Sequence, residues 1–394
     1  MKITGIKTYK FTHVAEGGQA IRDDEGALLA ATPAKDWLLL KIETDTELVG
    51  WGEGSGEWLT SPVEATLNDW ETLLVGRDPL HIAAIVDDIC DRLPWKGGAV
   101  FGTAMAAIDI ALHDLAGKAW GVPIHTILGG ARREQIRVYS GGDITTPERA
   151  AASAKQVQAA GYAGIKGNPL EQRSWPMDEK ALAESTAAVA AIREATGPEF
   201  DIMLDPHGSP QPELSLEFSR RIAPHHPLFL EEPCKVGSLE ALLAVSRQSP
   251  VSIATGEKLF DLASFEPLIQ SRAVAFLQPD IGHCFGLTRY MDIAKRAAQQ
   301  QILMAPHLGV GGLLYVASLH ADAATPNFLI QESHQLALFD RYMEHDLEVK
   351  DGYINTPVGP GLGIEVKESD IASLSHVPME YRQYRHQDGS WKGW

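Results

Sequence analysis

The sequence predicts an α/β protein: a (β/α) barrel with a strand-and-helix addition at its N-terminus. Three observations predict it. First, short apolar runs stop repeatedly in an acid or a histidine. Ile202 to Leu204 runs into Asp205-Pro206-His207-Gly208, and Leu228 to Leu230 into Glu231-Glu232-Pro233. Val251 to Ala254 runs into Thr255-Gly256-Glu257-Lys258, and Ala275 to Leu277 into Gln278-Pro279-Asp280. Ile302 to Ala305 runs into Pro306-His307, and Phe328 to Ile330 into Gln331-Glu332. Second, the terminal residues recur roughly every 25 residues, which suits one strand, one helix and two short loops. Third, the chain before Arg133 lacks this rhythm and reads as strands followed by helices. Parallel strands with reactive side chains at their carboxyl ends describe a barrel. An open doubly wound sheet also presents such ends. No strand–GxGxxG–helix unit favours it, and Gly50, Gly52 and Gly54 lie in a tryptophan-containing hairpin-like segment.

The elements follow in order. Ile3 to Phe11 alternates apolar and polar residues, Trp37 to Ile42 is a dense apolar strand, and Leu48 to Glu53 follows a turn. Thr12 to Lys35 is too long for an ordinary hairpin connection, so it is either a functional flap or a disordered loop. Ser61 is a candidate N-cap with Pro62 at the first helical position, and that helix runs to Leu74. Gly102 to Trp120 forms the clearest helix and stops at Gly121-Val122-Pro123. Asp109 and Asp114 on it read as packing or surface carboxylates. Ile136 to Ser140 is the first barrel strand, Thr146 to Ala160 the first helix, and Ala163 to Lys166 the second strand, ending in Lys166-Gly167-Asn168. Met177 to Ala195 is the second helix, stopped by Gly197-Pro198. After Glu332 the rhythm fades, and the tail from Gly352 reads as short strands folding back onto the N-terminal unit.

Composition bounds the partners. At 394 residues the chain holds a barrel of ~250 residues plus an addition. A formal net charge of −18 argues against nucleic acid, and a cationic group is then required wherever an anionic substrate binds. Cys90, Cys234 and Cys284 are far apart and odd in number, which speaks against a disulfide framework or a structural zinc. The chain opens directly into a strand, with no signal-peptide pattern and no long apolar span. We therefore expect a cytoplasmic protein without a membrane partner; a homo-oligomer is expected as well.

Asp205, Glu231 and Glu257 end three consecutive strands. Neighbouring strand ends in a barrel lie ~5 Å apart, so these carboxylates can converge. Crowded carboxylates take up protons or bind a cation. An all-oxygen set suits Mg²⁺ better than zinc. The plain alternative pairs each acid with a basic loop residue. His207 and His307 fall on the same rim, and Asp280 is placed to hydrogen-bond His307. Lys166, Asn168 and Glu332, at the second and eighth strand ends, are candidate substrate-binding residues.

These residues carry a resemblance. Ala104 to Lys118 followed by Pro123 and Leu128-Gly129, the segments Asp205-Pro206-His207-Gly208 and Leu230-Glu231-Glu232-Pro233 with Gly256-Glu257, and Gln278-Pro279-Asp280 with Ala305-Pro306-His307 all match one pattern. So does the tail Arg385 to Ser390. The chain resembles the enolase superfamily, mandelate racemase/muconate lactonizing enzyme family, and within it the acid-sugar dehydratases of the D-galactonate type. The resemblance implies an N-terminal α+β capping domain at residues 1–130 and a modified TIM barrel, (β/α)7β, at 131–352. A segment at 353–394 would complete the cap. It implies Asp205, Glu231 and Glu257 as Mg²⁺ ligands, with Glu232 a neighbour. It also implies His307 backed by Asp280 as base, His207 as acid, and Glu332 near the substrate carboxylate. The racemase-type Lys-x-Lys is here Lys166-Gly167-Asn168, which lacks the second lysine and disfavours two-base racemisation. The segment after Ser140 and the Thr12 to Lys35 insertion also differ from the galactonate enzymes. The implied reaction removes the C2 proton of an aldonate and expels the 3-hydroxyl, giving a 2-keto-3-deoxy acid. The alternatives are a cycloisomerase or epimerase working through the same enediolate, and a non-catalytic barrel that binds sugar acids.

Overall fold

A computed structural model of the chain describes residues 1–14, 21–22, 28–30, 34–56, 58–170, 179–309, 311–333, 336–378 and 389. The expected flap between Thr12 and Lys35 and the tail motif from Arg385 to Ser390 lie largely outside the described residues.

Strand β1 (Ile3–Val14) pairs antiparallel with β2 (Ala34–Thr44), which pairs with β3 (Val49–Glu53). The middle strand shows why it is so apolar. Leu38, Leu40 and Ile42 enter the core shared with the cap helices, while Trp37 and Leu39 enter the core shared with the barrel. Side chains alternate across a strand, so burial on both faces demands a continuous apolar run. Helices α1 (Thr60–Leu74), α2 (Ile82–Arg92) and α3 (Gly98–Trp120) cover one face. The first begins at Thr60 and not at Pro62, with Leu59 at the N-cap. The reason is local: Leu59 N already bonds Gly56 O at 2.8 Å, and the Thr60 hydroxyl donates to the same carbonyl, so the turn closes before Ser61.

Helix α3 is long and apolar enough to cross a bilayer, yet it is the buried centre of the cap. It presses on β3 so closely that a Cβ at Gly50 or Gly52 would lie 2.2 or 2.0 Å from the carbonyl oxygens of Ala111 and Ala107. Close packing, not phosphate binding, explains these glycines. Asp114 on α3 accepts from Trp51 N and Leu362 N, and Asp109 accepts from Thr288 N, so both are packing carboxylates.

Among the described residues, eight parallel strands form the barrel. They are β4 (Gln135–Gly141), β5 (Gly164–Gly167), β6 (Asp201–Leu204), β7 (Phe229–Glu231), β8 (Ile253–Thr255), β9 (Phe276–Leu277), β10 (Leu303–Met304) and β11 (Gln331–Ser333). Each pairs with the next from β4 to β10, and β11 closes the ring onto β4 through Gln331 to Ser333 opposite Val138 to Ser140. Seven helices connect them: α4 (Pro147–Ala159), α5 (Glu179–Thr196), α6 (Pro212–Ile222), α7 (Leu239–Ser246), α8 (Leu262–Ser271), α9 (Leu287–Gln299) and α10 (Gly312–Ala324). The order is (β/α)7β. Tyr139, Met203, Phe229, Ala254, Phe276, Ala305 and Ile330 fill the interior, so the barrel is a packed core and not a pore.

The last strand differs from expectation. The apolar run Phe328 to Ile330 contributes only a bridge from Phe328 to Met304, while the ladder to β4 forms over Gln331 to Ser333. Glu332 therefore lies within the strand. Beyond the barrel, Tyr353–Asn355 pairs with Gln135 to Arg137 at the base of β4. Farther on, the tail reaches the cap. Glu368 meets Lys41 at 2.9 Å, and Thr12 N donates to Ser375 O at 3.1 Å.

Candidate active site

The strand ends of β6, β7 and β8 bring Asp205, Glu231 and Glu257 together, with one ligand oxygen from each lying within 4.8 Å of the others. All three are buried. Asp205 N is anchored to Gly167 O on the neighbouring strand at 2.9 Å. Glu231 is the last residue of β7, so ladder geometry sets its backbone. Glu257 follows Gly256, whose φ of +147° lets the chain pass Gln278, where a Cβ would approach its backbone nitrogen to 2.9 Å.

Cations sit among these acids. Lys166 Nζ lies 3.0 Å from Glu332 Oε2, 3.2 Å from Glu231 Oε2 and 3.5 Å from Asp205 Oδ2. Burial works against its charge, but the carboxylates of Glu231 and Glu332 outweigh that and hold it firmly protonated. Lys258 pairs with Glu232 and lies 3.1 Å from Glu257 Oε1. Asp205, Glu231, Glu232, Glu257 and Glu332 thus share two ammonium groups. Burial, with Asp205 adding repulsion, pushes the Glu231 carboxyl well up, and burial raises Glu232 to about 7. Among the described residues, Oε2 of Glu231 and of Glu257 accept no hydrogen bond and have only ion-pair contacts, with Lys166 and His307. An uncompensated buried ion costs several kcal/mol, so surplus negative charge here must be neutralised by protons or by a cation. The acidic trio has the donor set for a divalent metal.

Two imidazoles flank the trio. His207 adopts a left-handed conformation, φ +54°, which folds its side chain back so that Nε2 lies 3.2 Å from Asp205 Oδ2. His307 Nδ1 lies 2.8 Å from Asp280 Oδ2, and its Nε2 is 3.4 Å from Glu257 Oε2. Burial would raise the Asp280 carboxyl. The nearby His283 and His307, with the Gly309 N–H, instead hold it at about 2. Burial likewise works against a charged His307, and Glu257 and Asp280 reverse this, raising it well above an ordinary histidine.

A cavity of about 300 Å³ opens onto these groups. Lys166, Asp205, His207, Glu257, His307 and Glu332 line it from the barrel, and Trp58, Leu59 and Thr103 from the cap. Asn168 is not on this wall; its Oδ1 accepts from Leu170 N at 2.9 Å. Glu332 accepts from Leu308 N at 3.2 Å as well as binding Lys166. Sequence reasoning missed Lys258, His283 and Thr103. For Lys258 there was a signal, because adjacent buried acids at 231 and 232 need counter-charge and Lys258 adjoins Glu257. For Thr103 there was none, because it reaches the site only when the cap docks.

Residues 149–370 match the enolase C-terminal domain-like family, and residues 29–129 match the mandelate racemase/muconate lactonizing enzyme N-terminal domain. The chain belongs to the mandelate racemase/muconate lactonizing enzyme family of the enolase superfamily. Enolase-superfamily enzymes use a divalent metal, and the buried acidic trio could bind one. Among relatives within the superfamily, a D-galactonate dehydratase from Ralstonia nicotianae is 34% identical over 370 residues, 91% of this chain and 96% of that protein. A D-galactonate dehydratase from Variovorax paradoxus is 32% identical over 373 residues, 92% of this chain and 97% of that one. Solved superfamily structures agree. A mandelate racemase/muconate lactonizing enzyme-like protein from Roseovarius has a TM-score of 0.87 at 27% identity, covering 97% of this chain and 98% of its own. An enolase from Agrobacterium radiobacter, with Na and L-malate bound, has a TM-score of 0.87 at 25% identity, covering 99% of each chain.

Proposed function

We propose that this chain is a Mg²⁺-dependent sugar-acid dehydratase, a hydro-lyase acting on an aldonate of the D-galactonate or D-gluconate type. The observation that carries this reading is the pair of imidazoles, one beside Asp205 and one beside Glu257, at a single acidic trio. One base and one acid facing a common carboxylate site is the equipment for eliminating water across C2 and C3. The likeness to D-galactonate dehydratases over nine-tenths of the chain supports it. So does L-malate, a 2-hydroxy acid, in a relative's structure.

Asp205, Glu231 and Glu257 would hold the metal, and a cation there offsets the negative charge that grows on the substrate carboxylate during proton removal. Lys166, held by Glu231 and Glu332, presents a second positive charge to that carboxylate. With the charge of Glu257, the main group holding His307 protonated, offset by a cation on the trio, the neutral His307 imidazole takes the C2 proton at Nε2. Asp280 accepts from Nδ1 and stabilises the imidazolium that results. The C2–H electrons move into the C1–C2 bond as an enediolate. His207 then donates a proton to the 3-hydroxyl, the C3–O bond breaks, water leaves, and the enol ketonises to a 2-keto-3-deoxy acid. Asn168 steadies the loop that follows the strand carrying Lys166. The protein works in the cytoplasm as a homo-oligomer. A sugar-acid library incubated with Mg²⁺ and assayed for 2-keto-3-deoxy products tests the reading. Turnover of one or a few aldonates is expected; a chain inert to the whole library overturns it.

A further inference from the structure

The mechanism leaves one polar pair on the cavity wall without a task. Lys166 and Lys258 are tied to carboxylates, Glu332 is tied to Lys166 and Leu308 N, and the acids and two imidazoles described above serve the reacting carbons. His283 and Thr103 remain, beside apolar Trp58, Leu59 and Phe260. They come from different parts of the fold. Thr103 is a buried residue near the start of α3 in the cap; His283 lies on the barrel loop after β9.

Thr103 Oγ1 and His283 Nδ1 are 2.8 Å apart. The loop beneath the ring is firmly set. Asp280 Oδ1 accepts from Gly282 N at 2.7 Å, and Asp280 O accepts from His283 N at 3.0 Å. A Cβ at position 102 would lie 2.3 Å from His283 O, so the glycine there lets α3 press the loop into place. With Nδ1 engaged and the backbone pinned, the ring has little freedom, and Nε2 is the nitrogen left for a ligand in the cavity that His283 lines. Whichever nitrogen carries the proton, a substrate hydroxyl can answer, because it both donates and accepts.

We propose that His283, aimed by Thr103, reads a hydroxyl of the substrate beyond the two reacting carbons and thereby sets which sugar acid the site accepts. This rests on reading the substrate as a sugar acid. Apolar walls discriminate poorly between hydroxyl epimers, whereas a fixed polar group rejects a ligand that cannot pair with it. The pair also spans the seam between cap and barrel, so the hydroxyl is read only when the two are docked.

Calorimetric titration in Mg²⁺ of galactonate, its C4 epimer gluconate, and glycerate, which has nothing beyond C3, tests this on the intact chain. The wild type is expected to bind one six-carbon acid at least tenfold more tightly than glycerate. His283→Ala and Thr103→Val are each expected to weaken that acid about tenfold, the cost of one good hydrogen bond, and to change glycerate less than twofold. Thr103→Ser, which keeps the hydroxyl, is expected to keep the preference. Equal weakening of long and short acids would place His283 behind Asp280 as a structural support and overturn the proposal. Unchanged preference in both variants overturns it too, as does a wild type that binds none of the three acids. Failure of the dehydratase reading shows separately, as a wild type that binds these acids but forms no keto product.

Discussion

Asp280 Oδ2 accepts from both His307 Nδ1, at 2.8 Å, and the backbone N–H of Gly309, at 3.1 Å. One carboxylate thus orients the imidazole and fixes the loop that carries it, and its partners keep it ionised at about 2. His307 Nε2 is thereby directed toward Glu257 and the cavity.

His307→Asn is expected to abolish exchange of the C2 proton with solvent deuterium, measured by NMR on a substrate acid. Asp280→Asn leaves the ring but removes the anion behind it, and a loss of about 10² in kcat is expected. Continued exchange in the His307 variant would remove that residue as the base.

His207→Asn is expected to separate the two half-reactions. Exchange at C2 should persist while keto-acid formation falls by about 10² or more, because only the leaving hydroxyl loses its proton donor. Undiminished product formation would strike His207 from the mechanism.

Glu257→Gln removes one charge from the acidic trio. Mg²⁺ affinity, read by calorimetry, is expected to weaken by at least tenfold. The rise in Tm that Mg²⁺ produces in the wild type should shrink in the variant, since ligand stabilisation follows affinity. Chelation should stop turnover while leaving the far-ultraviolet circular dichroism of the folded chain, because apolar side chains such as Met203, Phe229 and Phe276 fill the barrel interior.

Glu53 is a fully buried cap carboxylate that accepts from Leu313 N at 3.0 Å and Leu314 N at 3.1 Å, at the start of α10. Glu53→Ala leaves two buried N–H groups unpaired, and a loss of about 3 kcal/mol in unfolding free energy by urea titration is expected. An effect below about 1 kcal/mol would mean that water replaces the carboxylate at this seam.

His320 is buried against Leu362 O, and burial depresses its imidazole to about 3. The unfolded chain binds this proton near pH 6.5, so between those values it holds more protons than the native state. Stability from this site is complete above pH 6.5 and is lost as pH falls, approaching ~1.4 kcal/mol per unit. The slope of unfolding free energy between pH 6 and 5 should be shallower in His320→Leu; an identical slope would contradict it.

The barrel was legible because period and spacing are local. Each strand's apolar run and the rim residue after it are neighbours in sequence, so Asp205, Glu231, Glu257, Asp280 and His307 could be named before any fold was known. The eighth strand was misplaced by a few residues because its ladder to β4 forms through Gln331 to Ser333, a polar stretch that only closure of the ring buries. Likewise, Gly50 and Gly52 gave no hint of the helix backbone that lies against them.

What the sequence alone determined was the order of strands and helices and the chemical kind of each rim residue, since both follow from short-range periodicity and turn chemistry. What the tertiary structure decided was who meets whom. It paired Lys166 with carboxylates from two other strands, Glu53 with a helix over 250 residues away, and Thr103 with His283 across the cap–barrel seam. Those partnerships arise from burial and charge balance among segments distant in the chain, and no local pattern encodes them.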